Sequence, residues 1–285
     1  MRRRYELSNR QWERLEHSLP HPTHHGGKGH PWKPHRDRIN GILWILHTGA
    51  QWRELPGRYG KWKSVYDRFR RWRRDGTTDR ILERLLLRLD ERGRIDHDLW
   101  CVDATSIRAS RSAAGALRGV KVPGEPADHA LGRSRGGFGT KLHRIVDGRG
   151  LPLAASLSAG QAHDSKHLEP VLEAVRLARP GRGRRRRRPR RLAGDKGYSY
   201  ARIRRYLRRR GIKAVIPTRK DQRRNPSFDR ETYRRRNVVE RCMSWLKENR
   251  RIGTRHEKLA VNFLAMAKLA MIRRCFRILE SPDTA

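Results

Sequence analysis

The sequence predicts an α/β protein in which a mixed β-sheet, with helices on its faces, follows an all-α N-terminal region. In the first ninety-odd residues, apolar side chains recur at helical spacing. After Gly93, short β-rich runs alternate with helical segments. The segment 257–279 is apolar enough to form a last helix that packs on the rest. We therefore expect a helical domain at 1–95, an α/β domain at 96–256 and a C-terminal helix at 257–285.

Four helices are expected in the N-terminal region; Ser8 can cap the first, and the third is the most informative. Its segment KWKSVYDRFRRWRRDG (61–76) places Phe69 and Trp72 on one face and basic residues on the other. A preceding helix, a turn through LPGRYG and this basic helix resemble a helix-turn-helix reader of DNA. The alternative is a helical bundle with a solvated basic face. On the first interpretation, the candidate DNA contacts in this helix are Arg70, Arg71 and Arg74.

The strands and helices after Gly93 follow a definite order. A strand in DLWCVDATSIRAS (98–110) precedes the hairpin TKLHRIVDGRGLPLAASLS, whose turn lies at Asp147–Gly148. An amphipathic helix then begins near Asp164 or Ser165, either of which could cap it. Brief strands in RRLAGDKGY and IKAVIPT alternate with two further helices. This is the element order of the ribonuclease-H-like fold, a mixed five-stranded sheet with flanking helices.

Charge restricts the class of partner. Lys and Arg number 69 against 29 acids, a formal net charge of +40. Such a surplus indicates a polyanionic partner, and nucleic acid is the expected one. An anionic membrane is the alternative, but no apolar run approaches the length of a membrane span. The arginine-rich segment 181–191 is expected to bind the DNA backbone without reading sequence.

The expected compartment follows from cysteine usage and from the N-terminus. The three cysteines are scattered without paired spacing, which fits a reducing cytosol and argues against disulfides or a zinc site. The start MRRRY is followed by a polar segment, so we expect no export signal. A cytoplasmic protein associated with the nucleoid is the resulting expectation.

The stretch YRRRNVVERCMSWLKENRR, from Tyr233 to Arg251, places an acid among many cations. As one α-helix it would bring four polar residues into a sector of roughly 60°, while apolar side chains occupy the opposite face. The four residues are Tyr233, Arg236, Glu240 and Lys247. A surface ion pair between Arg236 and Glu240 explains this helix as well as a functional role does.

Two further carboxylates could meet Glu240. Asp103 interrupts an apolar strand, where an acid costs free energy unless it is paired or binds a metal. Asp195 follows a brief strand, at the carboxyl end where such sheets place their sites. Three clustered carboxylates repel one another and favour divalent cations, and oxygen ligands indicate Mg²⁺ or Mn²⁺. Two such ions would suit phosphodiester chemistry on DNA.

These segments closely resemble the DDE transposases of bacterial insertion sequences of the IS-five type, over nearly the whole chain. The signature Y-x2-R-x3-E-x6-K is met by Tyr233, Arg236, Glu240 and Lys247. CVDATSIRA, GRSRGGFGTKLHRIVDGRGLPL and LAGDKGY stand before it in the matching order. The resemblance implies that Asp103, Asp195 and Glu240 are the metal-binding catalytic triad. It also implies that the signature's tyrosine, arginine and lysine touch DNA near the cut, and that the N-terminal region helps to bind the element's ends.

The resemblance further implies a reaction and an assembly. Metal-activated water would free a 3′-hydroxyl at the element's terminal inverted repeat, and that hydroxyl would attack target DNA. Two ends must be held together, so a homodimer or higher oligomer on DNA is expected. Lys141 and Lys196 could also meet phosphate, although ordinary surface lysine is an equal alternative. The rival functions are a structure-specific nuclease on the same fold and a DNA-binding copy that has lost catalysis.

Overall fold

The computed structural model describes residues 4–20, 34–116, 122–177 and 188–281. Its N-terminal region contains the helices α1 (Asn9–Glu16), α2 (His35–Thr48), α3 (Trp62–Arg74) and α4 (Thr77–Glu91). The predicted cap of α1 is confirmed. Ser8 Oγ accepts the backbone N–H of Gln11 at 3.1 Å, and the Gln11 side chain accepts the backbone N–H of Ser8 at 3.1 Å.

Helix α3 has the two faces that the sequence indicates. Val65, Phe69 and Trp72 are buried, whereas the arginines at 70, 71 and 74 are exposed. The connection from α2 to α3 spans residues 49–61 and contains the 3₁₀ turns Trp52–Glu54 and Gly57–Tyr59. It is therefore longer than the three- to four-residue turn of a helix-turn-helix motif. The DNA role of α3 thus depends on its basic face and stays a prediction.

The sheet confirms the predicted mixed topology. Its five central strands lie in the spatial order β4-β3-β1-β5-β6, with β3 antiparallel to β1 and β4, and β5 parallel to β1 and β6. Two short strands, β2 and β7, pair with β3 and β1 at the end of the sheet where β1 finishes. The strands are β1 (Leu99–Ala109), β2 (Gly132–Ser134), β3 (Gly137–Asp147), β4 (Pro152–Ala159), β5 (Arg191–Ala193), β6 (Lys213–Val215) and β7 (Thr254–Arg255).

The turn between β3 and β4 is organised by Asp147, as the sequence indicates. Its carboxylate accepts the backbone N–H groups of Asp96, Arg149 and Leu151 at 2.9, 3.0 and 2.7 Å. Gly150 has φ +82°, a left-handed conformation that glycine adopts without steric cost. The side chain of Asp147 is fully buried, and burial raises its pKa to about 6. Asp147 therefore stabilises the hairpin, at the opposite end of β3 from β2.

Among the described residues seven helices follow β1, and one of them begins differently from the prediction. Helix α6 is preceded by the 3₁₀ turn Asp164–His167, and that turn is capped by His163, whose Nδ1 accepts the backbone N–H of Ser165 at 3.2 Å. The prediction of Asp164 or Ser165 as the helix cap was wrong, because both residues lie inside this turn and α6 begins after His167, which makes no side-chain capping bond. The helices are α5 (Arg111–Ala114), α6 (Leu168–Glu173), α7 (Ala201–Arg209), α8 (Arg230–Arg234), α9 (Asn237–Lys247), α10 (Arg250–Gly253) and α11 (Ala260–Glu280).

One hydrophobic core connects the helical region to the sheet. Helix α11 packs against both α4 and β4, and α10 packs against α2. Trp100, Phe263 and Phe276 are among the largest fully buried side chains. None of the described helices is long and apolar enough to cross a membrane. Within the predicted arginine-rich segment, residues 181–187 lie outside the described residues.

Candidate active site

Asp103 and Asp195 lie side by side on neighbouring strands. Strands β1 and β5 are parallel, and their register runs from Leu99 opposite Arg191 to Cys101 opposite Ala193. The same offset places Asp195, two residues beyond β5, level with Asp103 in β1. Burial raises the pKa of the Asp103 carboxyl, and the negative charge of Asp195 raises it further. Sheet topology therefore brings together the first two residues of the predicted triad.

Local structure fixes the direction of Asp195. Its carboxylate accepts the backbone N–H of Gly197 at 2.9 Å and so caps a short 3₁₀ turn, Lys196–Tyr198. Gly194 precedes it, and a Cβ atom there would lie 3.0 Å from Cγ1 of Val102 and 3.1 Å from the Tyr198 ring. Glycine thus allows the chain after β5 to stay close against β1. Without that approach, Asp195 would not remain level with Asp103.

The segment around Glu240 is two helices rather than one. Helix α8 ends at Arg234 and α9 begins at Asn237, so the prediction of a single helix from Tyr233 onward was wrong. Arg235 and Arg236 lie at the break between the two helices, and their side chains are directed differently. Arg235 pairs with Asp96, just before β1, at 2.9 Å, whereas Arg236 points into the site. Both contacts reach residues that are distant in the sequence.

Helix α9 buries the face that its sequence predicts. Val238, Val239, Cys242 and Leu246 are buried, and Trp245 is half-buried. This face packs on β1 and β3. The opposite face carries Glu240, whose side chain is 58 % exposed, and Lys247, whose Nζ lies 3.3 Å from Oγ1 of Thr105 on β1. The helix therefore presents both of these signature residues beside the strand that carries Asp103.

Arg236 occupies the space between two carboxylates of the predicted triad. Its Nη2 donates to Oε1 of Glu240 at 2.9 Å, and its Nη1 lies 3.9 Å from Oδ1 of Asp103. Its guanidinium also stands 6.0 Å from the centre of the half-buried Tyr233 ring. Burial lowers the pKa of Arg236, but the charges of Asp103 and Glu240 and the Tyr233 hydroxyl outweigh it and raise that pKa. The structure thus brings Tyr233, Arg236, Glu240 and Asp103 together.

Sequence reasoning missed Arg144, which is the second cation on Asp103. It lies directly opposite Asp103 in the antiparallel pairing of β1 and β3, and its side chain is only 2 % exposed. Its Nη2 donates to Oδ2 of Asp103 at 3.0 Å and to the carbonyl of Val239 in α9 at 3.4 Å. Arg144 therefore connects the strand of the first carboxylate to the helix of the third. The arginine within the apolar run LHRIV was a signal in the sequence, but its partner could be identified only from the strand register.

Tyr198 is a second residue that sequence reasoning missed. It is fully buried, and its hydroxyl has no hydrogen-bond partner among the described residues. Burial raises its pKa well above the ordinary value, and the charges of Asp164, Asp103 and Asp195 add to that effect. The phenol therefore stays protonated beside the carboxylates, with an O–H group available as a donor.

The two lysines suggested as phosphate contacts differ in their surroundings. Lys196 is exposed directly after Asp195. Lys141 is held by Asp164 at 2.9 Å and by the carbonyl of Ala162 at 2.8 Å. It pairs with Ser106 of β1, so strand alternation directs it to the face opposite Asp103. The structure therefore places Lys196 beside the site and Lys141 away from it.

The three carboxylates fit a divalent cation in chemistry, and two of them fit it in position. Among the described residues, no three Asp, Glu, His or Cys side chains are close enough to hold a metal ion together. Asp103 and Asp195 nevertheless form a close pair of oxygen donors, the type that Mg²⁺ and Mn²⁺ prefer. Glu240 lies on the adjoining helix with its carboxylate bound to Arg236. In this conformation Glu240 therefore stands apart from the pair.

Family models match both parts of this architecture. Residues 94–274 match the family described as "Transposase DDE domain", and residues 7–82 match the family described as "Putative transposase of IS4/5 family". The first match covers more than half of the chain, and it contains the strand and helix residues of the site. The chain therefore belongs to the DDE transposase family, which uses divalent metal ions to cleave DNA. Its N-terminal helices are similar to those of the IS4/5 group.

Two bacterial proteins are similar to parts of the chain. The chain is 36% identical over 145 residues to "Putative transposase for insertion sequence element IS402" from Burkholderia cepacia, a match to 51% of this chain and 66% of that protein. The chain thus spans slightly less than two thirds of that relative. It is 34% identical over 112 residues to "Uncharacterized protein y4sN" from Sinorhizobium fredii (strain NBRC 101917 / NGR234), a match to 39% of this chain and 83% of that protein.

Solved structures resemble the chain only distantly. A piggyBac transposase synaptic complex with hairpin DNA aligns with TM-score 0.44 and 10% identity, over 96% of this chain and 73% of that one. A Mos1 transposase paired-end complex with the left transposon end aligns with TM-score 0.26 and 15% identity, over 78% and 82%. At such scores the likeness supports no argument about this chain, and the assignment depends on the family match and the strand order.

Proposed function

We propose that this chain is the transposase of an insertion sequence. It would bind the ends of the element, hydrolyse a phosphodiester bond there and join the freed 3′-hydroxyl to target DNA. The observation that carries the proposal is the register of β1 and β5, which sets Asp103 level with Asp195 beside the helix of Glu240. The family match supports DNA cleavage, whereas strand transfer and the choice of Mg²⁺ are part of the proposal.

The residues of the site would have different roles in the reaction. Asp103, Asp195 and Glu240 would hold Mg²⁺ or Mn²⁺, which when bound would supply activation of the attacking oxygen and stabilisation of the leaving oxygen. Lys247, exposed on α9 beside Thr105, would neutralise phosphate charge at the cut. The buried Arg144 would keep Asp103 in place through its bond to Oδ2. Tyr198 would offer its unpartnered hydroxyl as a donor in the same region.

DNA would be held mainly by charge outside the site. The basic face of α3, with exposed arginines at 70, 71 and 74, would contact the backbone of the element's end. The net charge of +40 supports strong binding that weakens steeply with salt. Because two ends must be brought together, we expect at least two copies of the chain on a pair of end duplexes. Mass photometry of the protein with and without end DNA would measure that number.

Cleavage and strand transfer on a duplex that carries the element's own end provide the decisive test. Wild type is compared with Glu240→Gln and with the matched control Glu248→Gln, an exposed acid at the end of the same helix. In Mg²⁺, wild type and Glu248→Gln should nick the end and join it to target. Glu240→Gln should bind the duplex equally well but cleave it at least about 10³-fold more slowly, the scale of losing one member of a catalytic unit.

Each other result would select a different function. If Glu240→Gln retains activity, Glu240 is a surface ion-pair partner and the triad is wrong. If wild type nicks the end but never joins it to target, the chain is a nuclease of the same fold. If wild type binds the end in Mg²⁺ and in Mn²⁺ without cutting it, the chain is a DNA-binding copy without catalysis.

A further inference from the structure

Arg236 lies where a bound cation would interact with the same carboxylates. Its guanidinium reaches Glu240 on one side and Asp103 on the other, at 2.9 and 3.9 Å. The side chain is only 15 % exposed, although sequence resemblance assigned it to DNA contact. A residue that contacts DNA phosphate should present its charge outward, whereas Arg236 directs its charge to two members of the predicted triad.

The hold of Arg236 on these carboxylates is incomplete. At 3.9 Å, its Nη1 is beyond hydrogen-bond distance of Asp103, and this buried atom has no hydrogen-bond partner among the described residues. The other contact is to Glu240, whose side chain is more than half exposed and therefore easily released. Buried donors without a partner cost free energy. Leaving Glu240 and Asp103 for another partner therefore costs Arg236 little free energy.

Arg144 provides the contrast within the same site. It also contacts Asp103, but at 3.0 Å, and it is also bonded to the carbonyl of Val239. It lies within the sheet and is 2 % exposed, so it has no route to an external anion. Arg236 follows the break between α8 and α9, where the start of α9 meets solvent. Of these two cations on Asp103, only Arg236 can leave.

We propose that Arg236 is an internal cation that exchanges with the divalent metal. Before metal binds, its guanidinium holds Glu240 beside Asp103 and partly neutralises both carboxylates. When metal binds, Glu240 releases Arg236 and joins Asp103 and Asp195, and the guanidinium becomes available to a DNA phosphate. This inference rests on the proposed function, because it takes the three carboxylates as the metal ligands.

Metal binding in the absence of DNA tests the exchange without any cleavage assay. The affinity for Mn²⁺ is measured by calorimetry for wild type, Arg236→Gln, Glu240→Gln and the double variant. Arg235→Gln is the matched control, because it removes one positive charge from the adjacent residue, which pairs with Asp96 instead of the site. Thermal unfolding of each protein verifies that it is folded, and Asp103→Asn shows that the Mn²⁺ measured is bound at this site.

The exchange predicts a specific pattern of coupling. Arg236→Gln should bind Mn²⁺ about tenfold more tightly than wild type, whereas Arg235→Gln should match wild type. Glu240→Gln should weaken Mn²⁺ binding because it removes the third ligand, but by less than the same change does in the Arg236→Gln background, where no ion pair has to be broken first. In the double variant the gain should disappear, since the released ligand is no longer present. Arg236→Lys, which keeps the charge but not the fork between two carboxylates, should fall between wild type and Arg236→Gln.

Other patterns would overturn the inference. If Arg236→Gln does not tighten Mn²⁺ binding, or tightens it only as much as Arg235→Gln, Arg236 is not a competitor of the metal. If the gain persists in the double variant, Glu240 is not the ligand that Arg236 withholds. If wild type binds Mn²⁺ and Asp103→Asn does not, the proposed metal site stands whatever Arg236 does. If no variant binds Mn²⁺, the proposed site and the exchange both fail.

Discussion

His143 and Arg144 are consecutive residues of β3 with opposite surroundings. Both side chains are almost completely buried, and strand alternation sends them to opposite faces of the sheet. Arg144 faces the carboxylate of Asp103 beneath α9. His143 shares a 2.7 Å hydrogen bond with Oγ of Ser158 and stacks on His167 with ring centroids 4.5 Å apart. Arg144 therefore has a charged partner, whereas the direct partners of His143 are a hydroxyl and a stacked histidine ring.

Burial lowers the pKa of both residues, but only His143 loses its charge. It lowers the pKa of His143 to about 3, so the ring is neutral at physiological pH. It also lowers the pKa of Arg144, against which the charge of Asp103 acts, and arginine stays a cation. The comparison teaches that the Asp103 face keeps charges which burial disfavours, as function requires. His143 instead loses its own charge and is held by a hydrogen bond to Ser158 and by stacking on His167.

The largest expected effect concerns the ion pair itself. The double variant Asp103→Leu/Arg144→Met should be at least as stable as wild type, by about 0 to 4 kcal/mol, because a buried ion pair rarely repays its desolvation. Each single variant should be less stable than the double, since it leaves one charge without its partner. Denaturant unfolding measures all four proteins as a cycle. A double variant clearly less stable than wild type would mean that this pair stabilises the fold.

The burial of His143 predicts a dependence of stability on pH. The folded-state pKa of His143 is about 3, below the ordinary value of about 6.5. Between those values the unfolded chain binds a proton that the folded chain does not, so stability falls as pH falls through this window. The loss should approach about 1.4 kcal/mol for each pH unit. His143→Gln should remove that part of the slope.

Urea unfolding at pH 7, 6 and 5 measures the slope. The control is His17→Gln, because His17 is largely exposed at the end of α1, unlike the buried His143. A slope that is the same in His143→Gln and in wild type would show that His143 is not the residue responsible.

A smaller effect is expected for the hydrogen bond between His143 and Ser158. Ser158→Ala should lower the free energy of unfolding by about 1 kcal/mol, because it leaves Nε2 of the buried His143 without its partner. Ser156 provides the control on the same strand. Its hydroxyl is buried without a hydrogen-bond partner among the described residues, so Ser156→Ala should be neutral or slightly stabilising. Equal losses in the two variants would contradict the assignment of the bond.

The smallest expected effect is on the rate of DNA cleavage. It tests whether only the Asp103 face of the sheet takes part in the reaction. Lys141 lies on the His143 face, where it pairs with Asp164. Lys141→Gln should therefore lower cleavage by no more than about threefold, in line with a partly exposed ion pair. The measurement is the single-turnover rate on end DNA at saturating metal. A loss comparable with that of Glu240→Gln would place Lys141 at the reacting phosphate and break the division between faces.

The sequence by itself determined the order of elements and the nature of each surface. Apolar spacing predicted the buried face of α9 and the positions of β1, β3 and β4 because burial of apolar side chains follows the local period. Asp103 was conspicuous because a carboxylate within an apolar strand requires a partner. Ser8 was recognisable as a cap because its bond is made three residues away.

Only the tertiary structure decided which charges meet. Asp103 and Arg144 are paired by the register of β1 and β3, which no local pattern specifies. Arg235 and Arg236, at the break before α9, contact Asp96 and Asp103, which are distant from them in the sequence. Lys141 faces away from the site for the same reason, since strand alternation becomes a choice of face only once the sheet is packed. Ion pairs between distant segments depend on the fold, because the charges themselves attract too weakly in water to determine it.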